Sequence, residues 1–146
     1  MVKDVTTTWR DPRATGWGVY VLRGREGAFD NIVRVGVAGI RNGKNGIFGR
    51  LDRHTRPWTG APTVGTHECQ PFDVIRAWAL PEWSRGELES AEQCLYRAFA
   101  VRFRRRSDGL PDQSLFVVPI DRITDLQEAL DEIELDLQRI DKLRLG

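Results

Sequence analysis

Apolar and polar positions change period several times along the chain, and each change marks an element. Trp17 to Leu22 and Ile32 to Val37 are short runs of aromatic and β-branched residues, separated by a stretch that holds Gly24, Gly27 and Asp30. They read as two strands of a hairpin with a long loop. Gly39 to Gly46 is rich in Gly and Asn with Arg41 and Lys44 interleaved, and reads as a mobile or ligand-facing loop. In Ile47 to Thr55 the positions Ile47, Phe48, Leu51 and Thr55 recur at helical spacing, and Pro57 marks the stop. No period holds from Pro57 to Pro71, which predicts an irregular surface connection. Phe72 to Leu80 predicts a third strand.

Two helices dominate the rest. Ser84 with Glu87 three residues on matches a capping box, and Leu88, Ala91, Leu95, Phe99 and Phe103 continue as an apolar stripe. Leu115 to Ile120 predicts a short strand, confined to an edge or a strand end by Pro119. Thr124 and Gln127 make a second capping-box match. After it, Ile123, Leu126, Leu130, Ile133, Leu137 and Ile140 alternate three and four residues apart. This heptad-type seam covers less than three repeats, so its first use is packing on the sheet or a neighbouring helix. Homodimerisation through residues 123–140 is the second. The expected class is mixed α/β, of the α+β kind.

Length and composition narrow the class further. A chain of 146 residues has the size of one domain and buries a single core, so residues 1–146 are expected to form one unit ending in a helix over 121–146. No apolar run approaches the roughly 20 residues that span a bilayer, and Met1 to Arg13 lacks the apolar centre of a secretory signal. Only Cys69 and Cys94 are present, too few for a disulfide framework and not spaced as a metal pair. A cytoplasmic protein without membrane association is the expectation. The net charge of +1 hides an asymmetry: residues 1–60 carry 11 Lys and Arg against 5 Asp and Glu, and residues 121–146 carry 4 against 8. A polyanion would be drawn to the first part if its cations share a face.

Four residues stand out chemically. Glu92 lies within about 40° of Leu88 and about 20° of Phe99 on a helical wheel, inside the apolar stripe. A carboxylate there needs a cation, a proton or a metal. Arg50 and His54 are four apart and stack on one helix face, and Arg53 and Arg56 add to its basic character. Tyr20 shares a strand face with Gly18 and Leu22, where a half-buried tyrosine is ordinary. His67 has no spacing partner and reads as a surface residue.

The order of these pieces resembles the GIY-YIG nuclease family: Gly18-Val19-Tyr20 in a first strand, Arg34-Val35-Gly36 in a second, a helix with Arg50 and His54, then a late helix with Glu92. The resemblance covers about residues 17–103. It implies a small domain around a three-stranded antiparallel sheet flanked by helices, and hydrolysis of DNA phosphodiester bonds with Mg²⁺ or Mn²⁺ held by Glu92. Tyr20 would stand near the attacking water and Arg50 would contact the phosphate, with His54 or Tyr20 orienting or deprotonating water. Arg34, Arg41, Lys44, Arg53 and Arg56 are the expected DNA contacts. Phosphoryl transfer needs an oriented nucleophile, a metal and a cationic donor, and these residue types supply them. The sequence departs from the family pattern in three places. Arg34 stands where a tyrosine is usual, Val37 and Ala38 follow Gly36 without a lysine, and no Asn follows Asn45, leaving Asp112 or Gln113 as stand-ins. Arg34 would then serve as a second phosphate ligand or close on Glu92.

Overall fold

The computed structural model describes residues 1–11, 16–25, 31–39, 46–56, 72–105 and 115–145. The loop residues 40–45, the connection 57–71, and Asp112 and Gln113 lie outside these. In chain order the described elements are β1 (Lys3–Asp4), β2 (Gly18–Gly24), β3 (Ile32–Ala38), α1 (Gly46–Thr55), β4 (Phe72–Ala79), α2 (Arg85–Ala100), β5 (Arg104–Arg105), β6 (Leu115–Val117), a 3₁₀ turn (Ile120–Arg122) and α3 (Ile123–Leu145). The class is mixed α+β, as the hydrophobic periods predict.

The sheet is larger than the expected three strands. Six described strands pair in the order β1-β4-β2-β3-β6-β5, antiparallel at every junction. The central hairpin β2–β3 pairs Tyr20 with Gly36 and Leu22 with Arg34. The additions are short: β1 and β5 have two residues each, and β6 has three. Pairs of residues carry no alternation from which a strand is legible, so these edges arise from tertiary pairing.

Alternation divides the sheet into two faces. Val19 and Val21 of β2 and Val33 and Val35 of β3 turn to one side with Trp78 and Phe116, where Leu88, Leu95 and Phe99 of α2 and Leu130, Ile133 and Leu137 of α3 cover them. Tyr20 and Leu22 turn to the other, where Ile47 and Leu51 of α1 pack with Phe72 and Ala77. One irregularity keeps that second face continuous. Val21 pairs with Arg76 but Leu22 pairs with Val74, so Ile75 is an extra residue in β4. Such a bulge flips the parity of the strand, and it brings Phe72 and Val74 to the same side as Ala77.

The helix starts differ from each other. At α2 the capping box forms in full, with Ser84 Oγ accepting from the Glu87 amide and Glu87 Oε1 accepting from the Ser84 amide. At α3 it does not form: the helix is already under way at Ile123, continuing from the 3₁₀ turn that Pro119 opens, so Thr124 is an exposed helical residue. The stripe of α2 also ends early. Phe103 lies beyond the last helical residue and is buried against Phe99, ring centroids 5.6 Å apart. The middle of the α3 seam is buried inside the chain, with Leu126, Leu130, Ile133 and Leu137 in the core and Ile140 partly buried against it, whereas Ile123 at its start is exposed; the exposed Leu135 and Leu143 stand off it. No described helix is long and apolar enough to cross a membrane.

Candidate active site

The α1 side of the sheet is small, and its core is interrupted by polar groups. Helix α1 buries Ile47, Leu51 and His54, a spacing of four then three residues that places the imidazole in the packing face itself. The sequence pattern assigns that face to Thr55, which the structure leaves half-buried. His54 is 7% exposed and Tyr20 below it 2%. His54 Nε2 stands 3.5 Å from the Tyr20 hydroxyl, the outer limit of a hydrogen bond, with the rings tilted and 5.8 Å between centroids. The rings of His54 and Phe72 are perpendicular, with centroids 6.3 Å apart.

Two arginines approach the same hydroxyl. Burial pushes the Tyr20 phenol above its ordinary 10.0, against the opposing charge and hydrogen bonding of Arg34 and Arg50. The phenol is therefore neutral and protonated at neutral pH. Its oxygen can accept from guanidinium groups, which never accept in return. Of the three groups around it only the imidazole can accept the phenol proton, in the tautomer that leaves Nε2 without a hydrogen. Both arginines are half-buried as residues, and Nε and Nη1 of Arg34 are enclosed.

Two glycines make the packing possible. A Cβ on Gly36 would lie 2.5 Å from the Tyr20 hydroxyl oxygen and 2.6 Å from Cζ, so the ring rests directly on the bare backbone of its cross-strand partner. A Cβ on Gly18 would strike Ile47 Cδ1 and come within 2.5 Å of the Trp78 carbonyl oxygen. Only glycine at these positions lets α1 and Tyr20 approach this closely.

Arg25, just past β2, fastens the far end of α1. Its Nε donates to Asp73 Oδ1 at 2.8 Å, and its Nη2 donates to the carbonyl oxygens of Phe72 at 3.1 Å and Thr55 at 3.3 Å. One guanidinium thus ties β2, the start of β4 and the residue after His54. Nothing local in the sequence marks this role, because its partners lie 30, 47 and 48 positions away.

The remaining expected site residues fall elsewhere. Glu92 is half-buried on α2, among the buried Leu88, Ala91 and Leu95. Helix α2 covers the valine face, so Glu92 and Tyr20 are carried by elements on opposite faces of the sheet. Arg53 is exposed on α1, and Arg56 is exposed with its guanidinium 2.6 Å from Asp52. Arg41, Lys44 and His67 lie outside the described residues. Among the described residues no three His, Cys, Asp or Glu side chains gather as a ligand set. A single carboxylate is a ligand Mg²⁺ can use, since it keeps most of its waters and takes one or two protein ligands, but Glu92 stands on the face opposite Tyr20. It does not match zinc, which needs three or four.

Asp4, Asp131 and Glu134 gather around Arg76 on the α3 side, where the Trp78 indole donates to Glu134 at 3.3 Å. Compared with protein-family models, with curated proteins and with solved structures, the chain matches none.

Proposed function

We propose that the protein is a divalent-metal-dependent DNA endonuclease of the GIY-YIG type, acting in the cytoplasm on a phosphodiester bond held at Tyr20, Arg34, Arg50 and His54. The observation that carries this reading is the meeting of two guanidinium groups and an imidazole at one buried phenol. A hydrophobic core has no use for such a group, since each buried polar atom costs free energy unless it is matched. A dianionic transition state does have a use for it: paired guanidinium groups bind non-bridging phosphate oxygens with geometric fit.

The residues divide the work by exposure. Arg34 and Arg50, half-buried, take the phosphate oxygens. Tyr20 is too enclosed to attack phosphorus and acts as a relay. When a water is activated, its proton passes to the phenol oxygen while the phenol proton passes to His54 Nε2, and the guanidinium groups hold down the charge that develops between. The resulting hydroxide attacks phosphorus in line; one P–O ester bond breaks, and the departing oxygen is protonated from solvent. Mg²⁺ or Mn²⁺, when bound, supplies positive charge to the phosphate oxygens. The family resemblance gives that metal to Glu92, but Glu92 is carried by the helix on the face opposite Tyr20, so no step of the reaction is routed through it.

A second reading rests on a specific placement. Glu92 sits on the helix that covers the other face, and Arg34 replaces the family's tyrosine, which together favour a module that grips DNA phosphate without cutting it. One experiment separates the two. Supercoiled plasmid is incubated with the protein in Mg²⁺ or Mn²⁺ beside Glu92→Ala and Arg50→Ala. An endonuclease nicks the plasmid and Arg50→Ala lowers nicking by about 10²–10³-fold, the scale of one lost preorganised donor; loss of nicking in Glu92→Ala as well would assign the metal to Glu92 in spite of its face. An intact plasmid in every lane, with salt-dependent binding retained, establishes the binding module instead.

A further inference from the structure

The added strands β5 and β6 extend the sheet on the side of Arg34, and their register assigns opposite duties to two adjacent arginines. Cross-strand partners in antiparallel pairing point to the same face. Arg105 pairs with Phe116, which pairs with Val33 of the valine core, and the Arg105 guanidinium lies over the Phe116 ring at 5.9 Å. Arg105 therefore packs on the apolar side. Arg104 pairs with Val117, which pairs with Ile32, and Ile32 shares its face with Arg34 and Gly36. Arg104 is exposed and turned to the same side as Tyr20.

Helix α1 covers that side over β4, β2 and β3. Beyond it, Arg34 and Arg104 stand on one face, two strands and two residues apart. At about 4.8 Å between strands and about 3.4 Å per residue, their Cα atoms are roughly 12 Å apart. That distance matches phosphates a few nucleotides apart on one strand.

We propose that Arg104 is a second phosphate contact, and that a DNA strand held at Arg34 and Arg50 runs across β3 and β6 toward the β5 edge. The inference rests on the nuclease reading in one respect, that the anion met at Arg34 is DNA. The carboxylates of Asp4, Asp131 and Glu134 lie on the opposite side, gathered around Arg76.

The test measures binding of a fluorescent 20-base-pair duplex in Ca²⁺ across a salt series. The proteins compared are the wild type, Arg104→Ala, Arg104→Lys and Arg97→Ala, the last an exposed arginine on the α2 side. Losing one phosphate contact reduces the magnitude of the log-log salt slope by about 0.9. Arg104→Ala should show that loss and bind several-fold more weakly at low salt, Arg104→Lys should restore the slope, and Arg97→Ala should match the wild type. A wild-type slope in Arg104→Ala overturns the proposal and leaves the nuclease reading standing. Equal losses in Arg104→Ala and Arg97→Ala also overturn it, since the attraction would then be diffuse. Absence of any salt-dependent binding by the wild type ends both readings at once.

Discussion

On the α2–α3 side of the sheet, Phe99 stands between Phe103 and Phe116 with ring centroids 5.6 and 5.5 Å away, and aliphatic side chains of both helices close around them. On the α1 side the central ring is Tyr20, and what closes around it is an imidazole and two guanidinium groups. The first side gains stability chiefly from buried area, roughly 1.5–3 kcal/mol for each large side chain fully buried. The second buries groups whose dehydration offsets much of what Ile47 and Leu51 contribute. One sheet thus carries a face closed by apolar side chains and a face where polar groups gather, and residues on the second are explained by what they meet rather than by how much they bury.

The largest effect expected from this contrast lies in the apolar face. Phe99→Ala removes a ring that is fully enclosed and should destabilise the fold by about 3–5 kcal/mol. Chemical denaturation measures this directly. A loss below about 1 kcal/mol would mean that the α2–α3 side is not the one that holds the molecule together.

Next comes a substitution that acts on the polar face through its backbone. Gly36→Ala places a methyl 2.5 Å from the Tyr20 hydroxyl, so the ring must move away from Gly36. Overpacking of this kind costs about 1–3 kcal/mol. Its effect on DNA cleavage should be greater than its effect on stability, because a displacement of about 1 Å in a catalytic group costs about 10²-fold in rate. Cleavage reduced no more than the folded fraction would show that the position of Tyr20 is structural only.

The pattern of apolar residues made much of this legible. The hairpin, α1, β4, α2 and α3 announce themselves by period and by Ser84 with Glu87. Strand parity places Arg34 on the face of Gly36, and helical spacing stacks Arg50 with His54. The two-residue strands β1 and β5 are not legible, because their pairing is decided by β4 and β6 rather than by their own residues. The sidedness of Glu92 is hidden for a related reason. A wheel places it within a stripe but does not say which face of the sheet the stripe covers. Arg25 is invisible for want of any local partner.

The faces should also respond differently to pH. Tyr20 titrates above 10.0 in the folded chain and near 10 when unfolded. Between these values the unfolded chain has released the proton and the folded chain retains it, so stability is fully present below about pH 10 and falls as pH rises beyond it. Urea unfolding at successive pH values should show this alkaline fall in the wild type and a shallower one in Tyr20→Phe. The acid limb belongs to the other side. Asp141 is held below its ordinary 3.8: burial alone would raise it, but hydrogen bonds from the Met1 amino group, the Trp83 indole and Arg144 outweigh that. Its contribution is present above 3.8 and lost as pH falls below, and Asp141→Asn should weaken the acid dependence without touching the alkaline one. Identical alkaline slopes in wild type and Tyr20→Phe would remove the assignment to Tyr20.

The smallest effect separates the two helices of the apolar side from each other. Ser84 and Thr124 stand in similar local sequences, each with Glu or Gln three residues later, yet only Ser84 caps a helix. At Ser84 the hydroxyl satisfies the Glu87 amide at 3.2 Å, and its removal leaves a first-turn donor without a side-chain acceptor. Ser84→Ala should cost about 1 kcal/mol. Thr124 is already helical and exposed, where alanine has the better propensity and loses no χ1 freedom. Thr124→Ala should therefore stabilise by a few tenths of a kcal/mol. Opposite signs in paired urea titrations would show that α2 is started by its own side chains and α3 by the 3₁₀ turn before it. Equal losses would restore the capping box that the sequence pattern predicts at Thr124.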